Sequence, residues 1–255
     1  MNIIWALALA GFRESVRNRV TVVVGVFAGV LLLLTTIVLN VTLFSLDRVV
    51  TDFGLSVMSL LLSGLAIFLS SGLISREIER RTIFLVVSRP VSRAQFVIGR
   101  FFGNLLTLGA LQLMMGALFL LELFLFGVPR TDAQLAAFLG LWGELVLLTS
   151  LGLLCSVLSN QLVSALVCVG LYFLGHLADD LYLITERATS SFTKTLGTGI
   201  YYLLPNLSRV NYRGMAAAGT AIDWAQFSGS MLYVVAYAVI ALIVTTFAFD
   251  RRDFK

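Results

Sequence analysis

Charged side chains are scarce in this sequence. Only 13% of the 255 residues are Asp, Glu, Lys or Arg, and 59% are hydrophobic, whereas about 25% of the residues in a soluble domain are charged. This scarcity excludes an ordinary soluble protein and predicts an integral membrane protein, long enough for about six spanning helices with short loops. The formal net charge is +4. Because the basic residues flank apolar runs and line no single groove, we predict no nucleic-acid partner.

Catalytic and metal-binding motifs are also missing. There is no GxxxxGK[ST] motif, so the chain does not bind ATP through a P-loop, and neither HExxH nor GxSxG occurs. The single histidine, His176, cannot build a multi-histidine metal site. Near Asp179 and Asp180 it is expected to form a hydrated helix end. Cys155 and Cys168 lie in apolar runs and are expected to be packing residues. We predict no enzyme activity and no metal or cofactor on this chain.

What the sequence does contain is long, charge-poor runs. They are continuous and of helix length, unlike the alternating, roughly 10-residue strands of a membrane barrel. They predict six transmembrane helices in one domain over residues 1–255, at about 20–44, 54–75, 100–126, 135–158, 162–177 and 227–249. The last run before the outer segment is too long for one crossing, so it is divided at the polar trio Ser159, Asn160 and Gln161. The predicted fold class is an all-α integral membrane protein.

The basic residues are distributed asymmetrically around these spans. With the N-terminus inside, two thirds of the 18 Lys and Arg residues fall on the cytoplasmic side. The positive-inside rule therefore predicts two cytoplasmic termini in the cell inner membrane. Residues 2–17 are predicted to form an amphipathic helix at the membrane interface. Residues 178–224 are predicted to form an outer segment with short helices on the outer surface, in part dipping into the membrane.

The most basic part of the chain lies between the second and third spans. Residues 74–101 contain six arginines, which hydrocarbon does not accept, so this stretch must lie at the membrane surface. Both charge signs alternate over residues 75–82, Pro90 breaks the backbone pattern, and Ser92 can cap a new helix. We predict a helix–break–helix coupling loop at 76–99 that contacts a partner protein. A solvated loop that only sets the topology is the alternative.

This pattern resembles the permease subunits of ABC-2 type transporters. Members of that superfamily show a Glu-rich helix after the second span, a Thr, a Ser/Thr-x-Pro-hydrophobic-Ser/Thr-Arg element, and a Gly-Lys/Arg pair before the third span. The matching residues here are Glu77, Glu79, Thr82, Ser88, Pro90, Val91, Ser92, Arg93, Gly99 and Arg100. Arg81 stands where many members carry Gly. Within the superfamily the chain looks closest to the branch that includes permeases for multicopper-enzyme maturation.

The resemblance implies a mechanism and partners. Two permease copies would pair as a homodimer in the lipid bilayer, above two separate ABC ATPase subunits that hold ATP and Mg, and the assembly would export a substrate. The resemblance assigns the ATPase contact to Glu77, Glu79, Arg80, Arg81 and Thr82, with Pro90 and Arg93 shaping the return helix. Ion pairs at such an interface supply register and specificity more than raw affinity.

Two carboxylates fall inside predicted spans. Glu122 lies near the outer end of the third span, and Glu144 lies deeper in the fourth. A charge at mid-span costs about 2.5–3.5 kcal/mol on insertion scales, so such residues usually face a cavity or a partner. Glu144 and Glu122 are therefore candidates for the translocation pathway or the dimer interface, with snorkelling as the alternative for Glu122. Asn104 and Gln112 are expected to make inter-helix hydrogen bonds.

Other functions stay open at this stage. The same dimer could pass ATPase motion to a periplasmic or surface partner without cargo crossing, with the outer segment as the docking element. An ion-coupled secondary carrier would use Glu122 and Glu144 as proton sites. An intramembrane enzyme is disfavoured because no nucleophile–base pair is evident in the sequence.

Overall fold

The computed structural model of the chain describes residues 5, 9, 22, 24–31, 46–75, 92–186, 194, 197–199, 201 and 204–251. Across these residues all regular structure is helical, which confirms the predicted all-α class. The α-helices with defined bounds are α1 (Leu46–Ser71), α2 (Arg93–Leu125), α3 (Asp132–Leu158), α4 (Gln161–His176), α5 (Ala178–Glu186), α6 (Arg213–Ala218) and α7 (Trp224–Asp250). A 3-10 turn covers Ser208–Val210, and residues 24–31 are helical.

Four helices in the described part are long and apolar enough to cross a membrane, namely α1, α2, α3 and α7. Helices α4 and α5 meet at a bend of 58° and supply a fifth crossing if they act as one span. The described residues therefore provide four or five of the six predicted spans. The predicted interfacial helix at 2–17 and most of the predicted first span at 20–44 lie outside the described residues.

Side-chain caps explain where the helices begin. The Ser92 hydroxyl accepts a hydrogen bond from the backbone of Gln95, whose side chain in turn accepts from the Ser92 backbone, so this pair forms a capping box at the start of α2. Thr131 and Gln134 repeat the arrangement at α3. The Asn160 side chain caps α4. The predictions of a cap at Ser92 and of a turn around Asn160 are confirmed.

Helix α3 is the centre of the bundle. It packs against α1, α2, α4, α6 and α7, and it is hydrophobic nearly all round, as expected of a helix enclosed by others. It approaches α1 closely near the C-terminal ends of the two helices. A Cβ atom on Gly152 would overlap the Ser70 hydroxyl and lie 2.6 Å from Ser70 Cβ, so only glycine fits there. Small residues of this kind let membrane helices pack at close range.

Part of the predicted outer segment folds into the bundle. Leu207, Val210 and Tyr212 are buried, and α6 packs on both α1 and α3. A Cβ atom on Gly140 of α3 would collide with the carbonyl oxygen of Val210, so the segment touches the helix backbone there. Residues 204–216 therefore lie in the bundle and not on its surface, which agrees with the expectation that part of the segment dips in. We refer to residues 204–219 as the outer segment below. The small residues of α3 leave a groove, and the apolar side chains of the segment fill it. Helix α5, by contrast, is mostly exposed.

Candidate functional site

A partly buried polar cluster lies where α1, α3, α4 and α6 meet; it consists of the buried Ser63 and Glu144 and the half-buried His176 and Arg213. The carboxylate of Glu144, near the middle of α3, is only 2% exposed. The Ser63 hydroxyl donates a hydrogen bond of 2.7 Å to Glu144 Oε1. His176 Nε2 lies 3.8 Å from the same oxygen and 3.2 Å from a guanidinium nitrogen of Arg213. One carboxylate, one imidazole and one guanidinium therefore meet inside the bundle.

The hydrogen bonds of His176 define its tautomer. Its Nδ1 lies 3.1 Å from the carbonyl oxygen of Tyr172. Because a carbonyl can only accept, we assign the proton of the neutral ring to Nδ1. Nε2 then carries the lone pair and accepts the hydrogen bond from Arg213. The imidazole is thus inserted between the guanidinium and the Glu144 carboxylate.

This arrangement compensates the buried charge of Glu144. A carboxylate without partners inside a membrane bundle is strongly unfavourable. Here the Ser63 hydroxyl satisfies one oxygen, and the positive charge of Arg213 lies just beyond the imidazole. Ser59, one helical turn before Ser63, is also buried on the same face of α1.

A cavity adjoins the polar cluster. It is small and partly open, and α1, α3 and residues 210–213 of the outer segment form its walls. The lining residues are Leu55, Ala137, Leu141, Glu144, Val210, Asn211, Tyr212 and Arg213. Displacement of the outer segment would therefore open the cavity beside the Glu144 carboxylate.

Polar contacts hold the outer segment in place around the cluster. The Asn206 side chain donates to Asp179 Oδ1 over 2.7 Å, and the Asn206 backbone N–H donates to the Tyr233 hydroxyl over 2.9 Å. The Ser208 hydroxyl donates to the carbonyl of His176 over 2.7 Å. Asp179 thus binds the outer segment, and His176 contacts Glu144 and Arg213. This differs from the expected hydrated helix end formed by His176 with the neighbouring aspartates.

The other candidate carboxylate, Glu122, stands apart from the cavity. It lies one turn before the end of α2 and is buried, with 9% exposure. It is not among the residues that line the cavity. The expected inter-helix bonds on the same helix are confirmed: Asn104 Nδ2 donates to Thr149 Oγ1 over 3.4 Å, and Gln112 Nε2 donates to the carbonyl of Phe138 over 2.6 Å.

At the opposite end of the bundle, Arg93 fastens α2 to α7. Its NH1 donates to the carbonyl oxygens of Phe249 and Asp250, over 2.9 Å each, and its Nε lies 3.9 Å from the Asp250 carboxylate. A cation is favourable at a helix C-terminus, where carbonyl groups lack helical partners. We refer to this group of Arg93, Phe249 and Asp250 as the base clamp.

A second attachment fixes the end of α1. The Ser156 hydroxyl of α3 accepts hydrogen bonds of 3.0 Å from the backbone N–H groups of Ile74 and Ser75. These two groups, just past the end of α1, would otherwise be buried without partners. We refer to Ile74, Ser75 and Ser156 as the α1 anchor. The remaining predicted coupling residues, Glu77, Glu79, Arg80, Arg81, Thr82 and Pro90, lie outside the described residues.

A family model described as ABC-2 family transporter protein matches residues 5–254. The chain belongs to this ABC-2 transporter family. The predicted superfamily is thereby confirmed, and this ABC-2 protein is a multi-pass membrane component of a transporter rather than a catalytic enzyme. A comparison with curated proteins gave no match. The assignment to the multicopper-maturation branch stays a prediction.

Sequence reasoning missed two members of the polar cluster in this ABC-2 chain. No motif singles out Arg213, although the structure inserts it beside His176. Ser63 lies within the apolar run that predicts the second span. A signal was present, because Ser59 and Ser63 are four residues apart and share one face of the helix.

Proposed function

We propose that this ABC-2 protein is the permease subunit of an ATP-driven exporter. Two copies pair as a homodimer in the inner membrane, each with six spans and both termini in the cytoplasm. Two separate ATPase subunits, which hold ATP and Mg, bind to the coupling loop at 76–99. The match to the ABC-2 family over residues 5–254 carries this proposal.

The attachments at both ends of the coupling loop support a transmission role. The loop begins at the α1 anchor, where Ser156 binds the end of α1. It ends at the base clamp, where Arg93 joins α2 to α7. Both ends of the loop are hydrogen-bonded to neighbouring helices. A force on the loop would therefore displace these packed helices and not only the loop itself.

We propose that Glu144 lies beside the path that opens in the outer half of each protomer. The cavity next to its carboxylate is walled on one side by the outer segment. Export would then require that segment to move away from α1 and α3. Glu122 stays a candidate for the pathway or for the contact between the two copies.

A second candidate function is mechanotransmission to a periplasmic or surface partner without cargo passage. One observation favours it: α1 and α3 carry the α1 anchor near one end and the contact with the outer segment near the other. A displacement that starts at the coupling loop would therefore reach the outer segment through two helices. The outer segment would be the surface that the partner contacts.

The test is charge reversal of the two coupling glutamates, E77K and E79K together. The protein is purified with its ATPase from the native host, and ATP hydrolysis is measured in proteoliposomes with and without the permease. We expect the variant to insert and co-purify as a permease but to lose the stimulation of ATP hydrolysis. The matched control reverses two exposed charges of α5, Asp180 and Glu186, and should leave the stimulation unchanged. Normal stimulation in the E77K/E79K variant would reject the coupling role.

A further inference from the structure

The contact between Arg213 and His176 joins two parts of the chain that are far apart in sequence. Arg213 starts α6, in the outer segment, and His176 ends α4, in the bundle. The Nε of Arg213 binds Asn211 in its own segment over 2.9 Å, so the same guanidinium reaches the bundle with NH2, through the lone pair of His176 Nε2. The docked position of the segment therefore uses His176 in its neutral form.

We propose that His176 is a proton-binding site that controls whether the outer segment, residues 204–219, stays docked on the bundle. A proton that binds at Nε2 occupies the lone pair that accepts from Arg213. Two cationic donors then face each other over 3.2 Å. The new N–H lies 3.8 Å from Glu144 Oε1 and can form an ion pair with that carboxylate. Binding of the proton therefore changes the partner of His176 from Arg213 to Glu144.

Two opposite charges next to His176, those of Glu144 and Arg213, determine this exchange of partners. The Glu144 carboxylate of α3 lies 3.8 Å from His176 Nε2, and the Arg213 guanidinium of α6 lies 3.2 Å from the same atom. Other groups near the ring from the elements packed around it are the Tyr172 phenol of α4, the Asp179 carboxylate of α5, and the hydroxyls of Ser59, Ser63 and Ser208. Asp179 is already hydrogen-bonded to Asn206. Protonation of His176 would therefore give Glu144 a charged partner and remove one of the contacts of Arg213, which also binds Asn211 and Tyr172.

Release of Arg213 has a structural consequence beyond the bond itself. Residues 210–213 form one wall of the cavity beside Glu144. Undocking of the segment opens that wall and exposes the carboxylate that has just become paired with His176. Histidine changes charge between about pH 5 and pH 8, so an acidic outer compartment can drive the change. This inference concerns the chain alone and does not depend on ATPase coupling.

The experiment measures how accessible the buried face of the segment is as a function of pH. Val210 is 1% exposed and Thr220 is exposed. A single cysteine replaces one or the other in a full-length chain that lacks Cys155 and Cys168, reconstituted in nanodiscs. The rate of modification by a charged maleimide at position 210 is divided by the rate at position 220, which cancels the intrinsic pH dependence of the reagent. The ratio should rise about tenfold from pH 8 to pH 5, equivalent to about 1.4 kcal/mol of docking free energy.

Three variants decide whether His176 is responsible. H176Q offers a carbonyl to Arg213 but cannot bind the proton, so the pH step in the ratio should disappear. E144Q removes the anion that stabilises the imidazolium, so the step should move to lower pH. R209Q is the matched control, because Arg209 lies in the same segment but stacks over the Tyr233 ring at 5.2 Å; its step should be unchanged.

Other outcomes would overturn the proposal. A ratio that stays constant between pH 8 and pH 5 in the parent chain would show that the segment does not respond to protons. A step that persists in H176Q would assign the proton to another group. An unshifted step in E144Q would exclude the exchange of partners. Each variant is first checked for a monodisperse elution profile. If H176Q does not fold, the result for E144Q decides whether the proposal holds.

Discussion

Replacement of Gly152 by alanine should be among the most damaging single-methyl additions in this chain. The added Cβ would overlap the Ser70 hydroxyl and lie 2.6 Å from Ser70 Cβ, whereas carbon atoms pack favourably at about 3.5–4.0 Å. The hydroxyl can rotate, but it would leave its bond of 2.6 Å to the carbonyl of Ala66. Ser70 Cβ cannot rotate away. The two helices must therefore separate by about 1 Å, the difference between these two distances.

The separation has a cost that can be estimated from the neighbouring contacts. One turn further along α3, Ser156 accepts hydrogen bonds from the backbone of Ile74 and Ser75 at 3.0 Å each. Overpacking alone costs about 1–3 kcal/mol, and each buried donor left without a partner costs about 1–3 kcal/mol. If one of the two donors loses its bond, G152A should lower the free energy of unfolding by about 2–6 kcal/mol.

The assay is equilibrium unfolding of the purified protein by SDS in mixed micelles. Gly64 is the matched control, because it lies in α1, the helix of Ser70, and a Cβ there meets no heavy atom within 4 Å. G64A should stay within about 1 kcal/mol of the parent protein, since alanine is the better helix former. The reasoning is refuted if G152A and G64A have the same stability. G152A should also weaken the α1 anchor, so stimulation of the partner ATPase should fall with stability.

Two further predictions concern the base clamp and the topology. R93Q should lower the free energy of unfolding by about 1–2 kcal/mol, because two charge-assisted hydrogen bonds to carbonyls at the end of α7 are lost at a half-exposed site. R93K should lose less stability, and the same SDS titration compares the two variants. Equal stabilities of R93Q and the parent protein would contradict the clamp. A cysteine introduced at Asp180 should react with an impermeant maleimide outside intact cells and one at Arg89 should not; the reverse labelling pattern would overturn the orientation.

The sequence was sufficient to predict the local structure. Charge-poor runs marked where the long helices lie, because hydrocarbon excludes charge. The caps at Ser92 and Asn160 followed from short-range hydrogen bonds within three residues of the chain. The inter-helix bonds of Asn104 and Gln112 were also predictable in kind, since a polar side chain in an apolar bundle must find a partner.

The polar cluster could be predicted only in part, because its members come from four helices. Glu144 stood out as a carboxylate in a span, but its partners lie 81, 32 and 69 positions away along the chain, at Ser63, His176 and Arg213. A hydropathy profile does not show which residues at such separations along the chain contact one another. How deeply the outer segment packs into the bundle could not be predicted, for a related reason. Its apolar residues suit a membrane surface equally well, and the groove that receives them exists only once Gly140 and its neighbours have formed one face of α3.

The polar cluster and the α1 anchor are connected through α3. Glu144 and Ser156 are twelve residues apart on this helix, about 18 Å along its axis. Between them lies Gly152, where α3 and α1 are too close for even a methyl group. Since α1 contributes Ser63 to the polar cluster and Ile74 and Ser75 to the α1 anchor, α1 and α3 should move as one unit. Motion that begins at the coupling loop should then appear as displacement of this unit relative to the outer segment, whose contact through His176 and Arg213 is small and can be exchanged.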